Sequence, residues 1–414
     1  MRKIIASVDI GSYELKMVVA EIIKGKPIIL ASTNVLSEGI SKGKIVNTSK
    51  FLDTLKSGLK EINELLGVEL KKVIVNIPED DVEFEIMDGT IDIDNPDGVV
   101  LGSDIAKVIQ KSVKTSIPEN MELVSVVPIE FYIDGNNKVK NPKRAIAKKL
   151  SVKAVAMMAP KVEVYKILNL LNEANLEVSD IVFGSIGDYF AYSNKNTDEV
   201  AGIVINIGND KSTISVFNKG VLINTSVINV GSGSIDNDIA FIYKISKENA
   251  KKLKENLALA DTRNAQANDI EELKNTYDED ITVNQYEISE IVASRIEEIL
   301  KITKKQINTL TKREISYIII TGGLTEIRDF SLATENVYGK NATIGQINTI
   351  GVRNNKYSTA FGMIKYFNKK LILRDKDYSI FNIDELEEFS NCDKKINITS
   401  DSLLGKIFGY FFDN

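Results

Sequence analysis

The sequence predicts an α/β protein of two like-folded lobes with a small α+β unit inserted in the first. Three observations point there. The chain has 414 residues, more than one compact core accommodates, so two or more subdomains are expected. A theme of apolar strand, glycine-bearing turn and apolar strand opens the chain at 3–23 and returns at 200–217, the mark of an internal repeat. Between them, residues 83–157 are strand-rich and set apart from the flanking pattern.

Along the chain, β-branched runs at 3–10 and 15–23 form a hairpin through DIGS, and 27–36 adds a strand. In 49–66, Phe51, Leu52, Leu55, Leu59, Ile62 and Leu66 recur at helical spacing, with Gly67 as the stop. A buried strand follows at 71–79. The inserted unit reads as a strand near 84–93, a helix near 103–115, and strands near 121–127, 129–134 and 149–157. A helix at 161–175 and a strand at 178–183 return to the first lobe. The second lobe reads as strands at 200–217 and 221–229, helical stretches at 235–256 and 284–309, a buried strand at 317–323 and a helix at 357–370. From 374 to 400 the chain turns acidic and polar, a linker with little core-forming power, and 401–414 is apolar again.

Composition excludes several classes. Hydrophobic residues are 43% and charged residues 27%, and the net charge is −6 with no long basic run, so nucleic acid is not an expected partner. Cys392 is the only cysteine and there is no histidine, which removes disulfide frameworks, His-based metal sites and imidazole catalysis. The N-terminal apolar run is cut by Asp9 and Gly11, so it reads as neither signal peptide nor span. No stretch reaches the ~18 uncharged apolar residues of a spanning helix. A cytosolic protein is expected unless something anchors it peripherally.

Three glycine turns each follow an apolar strand: DIGS at 9–12, NIGNDKST at 206–213 and ITGGL at 320–324. Small residues in such turns let backbone N–H groups approach phosphate oxygens without a Walker lysine. Gly11 and Ser12 in the first turn, and Asn206, Gly208, Ser212 and Thr213 in the second, are the candidate phosphate contacts. Asp9 is the candidate partner of a hydrated Mg²⁺. Gly322 and Gly323 would let backbone approach an adenine or ribose.

In order along nearly the whole chain, the motifs resemble the FtsA family of actin-like bacterial division proteins. DIGS resembles its first phosphate loop, SEGISKGKIVN at 37–47 the loop before its first long helix, and ITGGL its adenosine loop. VVPIEFYIDGNNKVKNP at 126–142 with LSVKAVAMMAP at 150–160 resembles its inserted domain. NVGSGSIDNDIA at 229–240 and YSTAFGMIKY at 357–366 resemble its entry to the second lobe's outer subdomain and its second connecting segment. The resemblance implies an actin-like (ribonuclease H-like) two-lobed ATPase fold. Its parts are a first lobe over 1–82 and 158–199 and an insertion over 83–157. The second-lobe core then covers 200–234 and 311–373, its outer subdomain 235–310, an acidic linker 374–400, and a membrane-targeting helix 401–414. It implies ATP and Mg²⁺ as ligands, with Lys254 near the ribose and base, and self-association into filaments.

Departures from the pattern sit in the second lobe. The family's second phosphate loop begins with Asp and carries consecutive glycines, whereas this chain has Asn206, Gly208, Asn209, Asp210 and Lys211. Asp210 beside phosphates is unfavourable unless Lys211 offsets it. Lys251 stands where the family has a glutamate three residues before Lys254. Nucleotide binding is therefore expected with at most weak hydrolysis, and no catalytic residue is assigned.

The tail carries Leu403, Leu404, Ile407, Phe408, Phe411 and Phe412 as one helical stripe. Fourteen residues cannot span a bilayer, but such a stripe can lie in the membrane interface. A terminal helix packed on the protein's own core is the alternative. Lys406 is the tail's single basic residue, so anchoring is mainly hydrophobic and individually weak, with K of order 10⁴ M⁻¹. Filament formation would multiply such anchors. The resemblance also implies that the C-terminal peptide of FtsZ, the ring protein, docks on the second lobe near ISEIVASRIEEIL at 288–300, with Arg295 as the carboxylate clamp. A solvated helix face is the alternative there, since Glu297 and Glu298 adjoin Arg295. Against the division tether stand two other classes: an actin-superfamily ATPase enzyme, and a pilus-assembly-type adaptor that would not need the tail.

Overall fold

The computed structural model describes residues 2–113 and 117–381. The first lobe opens with β1 (Ile4–Ile10), β2 (Glu14–Ile23) and β3 (Lys26–Leu36), an antiparallel meander. A small hairpin, β4 (Ile40–Ser41) and β5 (Lys44–Ile45), leads to α1 (Thr48–Leu66). Asn47 caps α1 by accepting from the Lys50 N–H, and Gly67 closes it in the left-handed region. The six apolar positions that predicted this helix are all buried. The next strand, β6 (Lys72–Ile77), lies parallel to β1.

The inserted unit comprises β7 (Glu83–Asp92), α2 (Gly102–Ser112), β8 (Met121–Ile133), β9 (Asn137–Val139) and β10 (Lys149–Pro160). Its strands form one sheet, β7-β10-β8-β9, with its own core around Phe131, Leu150 and Val108. The two strands expected at 121–127 and 129–134 are one strand. Pro128 sits beside a register shift opposite Lys153 and Ala154, a place where a strand tolerates the missing N–H.

The chain returns through α3 (Lys161–Glu173) and β11 (Glu177–Phe183) to α4 (Gly184–Tyr192), which leads into the second lobe. That lobe begins with the meander β12 (Ala201–Ile207), β13 (Ser212–Asn218) and β14 (Val221–Ile228). The helical stretch expected at 235–256 is two helices, α5 (Gly233–Tyr243) and α6 (Lys247–Asn256), broken where Lys244 turns left-handed. An exposed hairpin, β15 (Ile270–Lys274) and β16 (Asp280–Asn284), precedes α7 (Gln285–Leu310). Then come β17 (Tyr317–Thr321), α8 (Phe330–Tyr338), β18 (Ala342–Ile344) and α9 (Ser358–Arg374).

The internal repeat is visible in the strand order. The first sheet runs β3-β2-β1-β6-β11 and the second β14-β13-β12-β17-β18, each three antiparallel strands followed by two parallel ones. Two buried clusters fill the lobes, one around Phe51, Val75 and Ile364, the other around Ile205, Val292 and Phe330. The helices α4 and α9 carry the chain between lobes and cross where Gly187 meets Gly362.

The first residues after α9, up to 381, do not leave as a polar linker, and the rest of the stretch expected to be one, 382–400, lies outside the described residues. Ile380 and Phe381 are buried in the first lobe's core, the Ile380 N–H donates to the Ile4 carbonyl, and Tyr378 packs edge-on against Phe367. Three apolar side chains within an acidic stretch are enough to dock it. The amphipathic stripe expected at 401–414 lies outside the described residues. Among those described, no helix is long and apolar enough to cross a membrane.

Candidate functional site

Between the lobes lies a cleft of about 540 Å³, lined by the turns that follow β1, β12 and β17. The repeat places β1 and β12 at equivalent positions, so the two turns face one another across it. Gly322 at the end of β17 has φ of 101°, and a Cβ there would sit 2.4 Å from the Ile207 carbonyl oxygen and 2.7 Å from Asn206 Oδ1. Only glycine fits that conformation and that approach.

Each turn begins with the same side-chain pair in reversed roles. In the first lobe the turn supplies the carboxylate: Asn76 Nδ2, from β6, donates to Asp9 Oδ1 at 2.9 Å. Lys16 Nζ lies 3.2 Å from Asp9 Oδ2. In the second lobe the turn supplies the amide: Asn206 Nδ2 donates to Asp188 Oδ2 at 2.7 Å. Asp188, from α4, also accepts from Ser358 Oγ (2.7 Å) and Thr359 Oγ1 (2.8 Å). The carboxylate absent at position 206 is thus supplied from the connecting helix.

Burial pushes the Asp188 carboxyl up to about 6, against the pull of its three donors. Burial likewise pushes Glu79 up to about 7, although the Ser185 N–H and hydroxyl both donate to it. A carboxyl whose folded pKa lies above its unfolded value binds more protons in the folded state, so stability falls as pH rises between the two values. Here the window runs from about 4 to about 7. With no histidine in the chain, no imidazole titrates there. Urea unfolding is expected to give a stability that declines from pH 5 to 7.5, at up to ~1.4 kcal/mol per pH unit for each proton released. Asp188→Asn should make the decline shallower; an equal slope in both proteins would contradict the assignment.

The remaining candidates are placed as follows. Gly11, Gly208, Thr213 and Gly323 line the cleft. Ser12 Oγ accepts from the Gly43 N–H at 3.0 Å. Ser212 does not reach the cleft: fully buried, it donates to the Val230 carbonyl inside the second lobe. Side chains alternate along β13, so Thr213 faces the cleft and Ser212 cannot. Lys254 lines the cleft but is buried, paired with Asp236 of α5 at 2.5 Å. Arg295 is engaged within the lobe, two of its nitrogens on Asp238 (2.6 and 2.9 Å) and a third on Glu298 (2.6 Å).

Asp210 and Lys211 do not offset one another. Asp210 accepts from the Lys42 N–H at 3.0 Å and Lys211 reaches Asp80 at 2.6 Å, both across the cleft. Lys251 also crosses, its Nζ 3.4 Å above the ring centre of Tyr13. Lys16, Lys211, Lys251, Lys254 and Lys356 bring five cations to a cleft that nine carboxyl groups also line, so an anionic ligand would be met by the backbone N–H groups of the turns as well as by lysines. No cluster of three metal-binding side chains occurs among the described residues. The single Asp9 carboxylate suits Mg²⁺ arriving with phosphates, which keeps most of its waters.

Two family models match the chain: "Cell division protein FtsA" over residues 203–362 and "SHS2 domain inserted in FTSA" over 80–158, together more than half of it. The chain belongs to the FtsA family. The Cell division protein FtsA of Bacillus subtilis (strain 168) is 26% identical over 362 residues, covering 87% of this chain and 82% of that relative. Among solved structures, MreB5 of Spiroplasma citri bound to ADP aligns with a TM-score of 0.55 at 11% identity, covering 90% and 99% of the two chains. The PilM-PilN type IV pilus biogenesis complex gives 0.58 at 11% identity, covering 88% and 98%. These establish the actin-like fold, and the FtsA match to 80–158 falls on the inserted sheet.

Sequence reasoning missed Lys16, Asn76, Glu79 and Asp188. Glu79 ends a strand run that reads as buried, and Asp188 lies in a stretch without periodicity. Neither position carried a signal.

Proposed function

We propose that this FtsA-family protein binds ATP with Mg²⁺ between its lobes, self-associates, and tethers an FtsZ ring to the cytoplasmic face of the membrane through 401–414. The observation that supports the nucleotide half is the pair of facing turns in a cleft that five lysines line. Asp9 would hold the ion's water shell, Gly11, Ser12, Gly208 and Thr213 would meet the phosphates, and Gly322 and Gly323 the nucleoside. Self-association multiplies weak hydrophobic tails into stable residence. An acidic FtsZ peptide at Arg295 would compete with Asp238 and Glu298 for the guanidinium, since an Arg fork serves one carboxylate well at a time.

Co-sedimentation with liposomes tests both halves. Full-length protein with ATP is expected in the pellet, and protein lacking 401–414 in the supernatant. If neither nucleotide nor tail changed the partition, the proposal would fail.

A further inference from the structure

The cleft floor holds a carboxyl that nucleotide binding alone leaves without a task. Glu79 lies two residues beyond β6 and accepts from the Ser185 N–H and the Ser185 hydroxyl, each at 2.7 Å. It faces the start of α4, where Gly184 contributes no side chain. A Cβ on Gly184 would sit 3.5 Å from Glu79 Oε1, 3.8 Å from Asn76 Nδ2 and 3.4 Å from Thr359 Cγ2. The Glu79 carboxyl, the Asn76 amide that holds Asp9 and the Thr359 side chain that donates to Asp188 thus gather around Gly184, and Glu79 lines the same cleft as both turns.

We propose that the cleft hydrolyses the nucleoside triphosphate it holds, with Glu79 as the general base. The inference rests on the nucleotide binding proposed above. A water oxygen forms a bond to the terminal phosphorus while the bond from that phosphorus to its bridging oxygen breaks. The bridging oxygen leaves with the electron pair on the diphosphate, and the water's proton passes to the Glu79 carboxylate. The products are nucleoside diphosphate and inorganic phosphate. Asp188 is a positioning residue: it fixes the Asn206 amide and the Thr359 hydroxyl.

A purely structural Glu79 would cap α4, since a carboxylate at a helix N-terminus is stabilising in itself. Capping favours the charged form, yet burial prevails and pushes this carboxyl up to about 7. A base works best when its pKa lies near the working pH. Of the cleft's charged groups, Asp188 on α4 acts on it directly and raises its pKa; Asp9 and Lys16 on β1 and β2, and Asp80 with its Lys211 partner from the second lobe, line the same cleft. Thr225 of β14 adds a hydroxyl.

The test uses full-length protein and follows three quantities: affinity for a fluorescent ATP analogue, the ATP-to-ADP ratio of protein-bound nucleotide over time, and single-turnover phosphate release from pH 6 to 9. The parent's rate is expected to rise about tenfold per pH unit below an inflection near 7 and to level off above it. Glu79→Gln keeps the size and most of the cap; it should bind the analogue within about threefold of the parent and slow hydrolysis by roughly 10²- to 10⁴-fold with no inflection. Ser185→Ala removes a donor that favours the charged carboxylate and should move the inflection to higher pH. A Glu79→Gln rate within about threefold of the parent, or a parent that binds ATP and never converts it, overturns the inference while leaving the proposed binding intact. A parent that binds no triphosphate overturns both.

Discussion

Gly362→Ala is expected to destabilise the protein by on the order of 3 kcal/mol, the upper end of the usual range for overpacking. The added methyl would lie 1.7 Å from the Gly187 carbonyl oxygen and 2.7 Å from the Ala191 backbone nitrogen. Both neighbours are backbone of α4, so no side chain can rotate away. Relief requires α4 and α9 to move apart, and both are buried between the lobes. Gly323→Ala is the control: the nearest atom to its new methyl is a Lys356 carbon at 3.9 Å. Denaturant midpoints should separate the two variants clearly. Equal midpoints would mean that the crossing is loose enough to absorb a methyl group.

Lys254→Met should have an effect of similar size for a different reason. Lys254 and Asp236 form a 2.5 Å pair with side chains only 4% and 9% exposed. Removing the lysine strands a carboxylate away from water, which costs about 3–5 kcal/mol for a buried pair. Replacing both, as Lys254→Met with Asp236→Leu, removes the stranded charge and should recover most of the loss. The pair ties α6 to α5, so Lys254 acts as a strut before it acts on any ligand. A Lys254→Met protein with the parent's midpoint and only weakened nucleotide binding would refute the strut.

Much of the fold was legible because it rests on periodicity. The repeated strand–turn–strand theme, the six apolar positions of α1 and the long α7 all follow from spacing that a sequence displays. The glycine turns were legible for the same reason, since they end apolar strands. What the sequence hid depends on which face a residue takes and on partners distant in the chain. Ser212 and Thr213 are equally small and polar, and only the pleat of β13 separates them. The loss of an aspartate at Asn206 read as a deficit, because its compensating carboxylate comes from Asp188, eighteen positions earlier in an aperiodic stretch. Arg295 read as a carboxylate clamp or a solvated charge, and its engagement with Asp238 was hidden because that partner lies 57 positions away. The acidic residues around Tyr378, Ile380 and Phe381 masked a docking segment that only the core's shape reveals.

The contacts that cross the cleft make the protein a rival of its own ligand. Lys211 is held by Asp80, and Lys251 by the Tyr13 ring. A phosphate arriving there meets cations that already have partners, so its electrostatic gain is a difference between two bound arrangements. Asp80 and Tyr13 belong to one lobe, Lys211 and Lys251 to the other. Each exchange of partners therefore replaces a direct strap between the lobes with one that runs through the phosphate, and the grip of the lobes on each other becomes a property of the nucleotide.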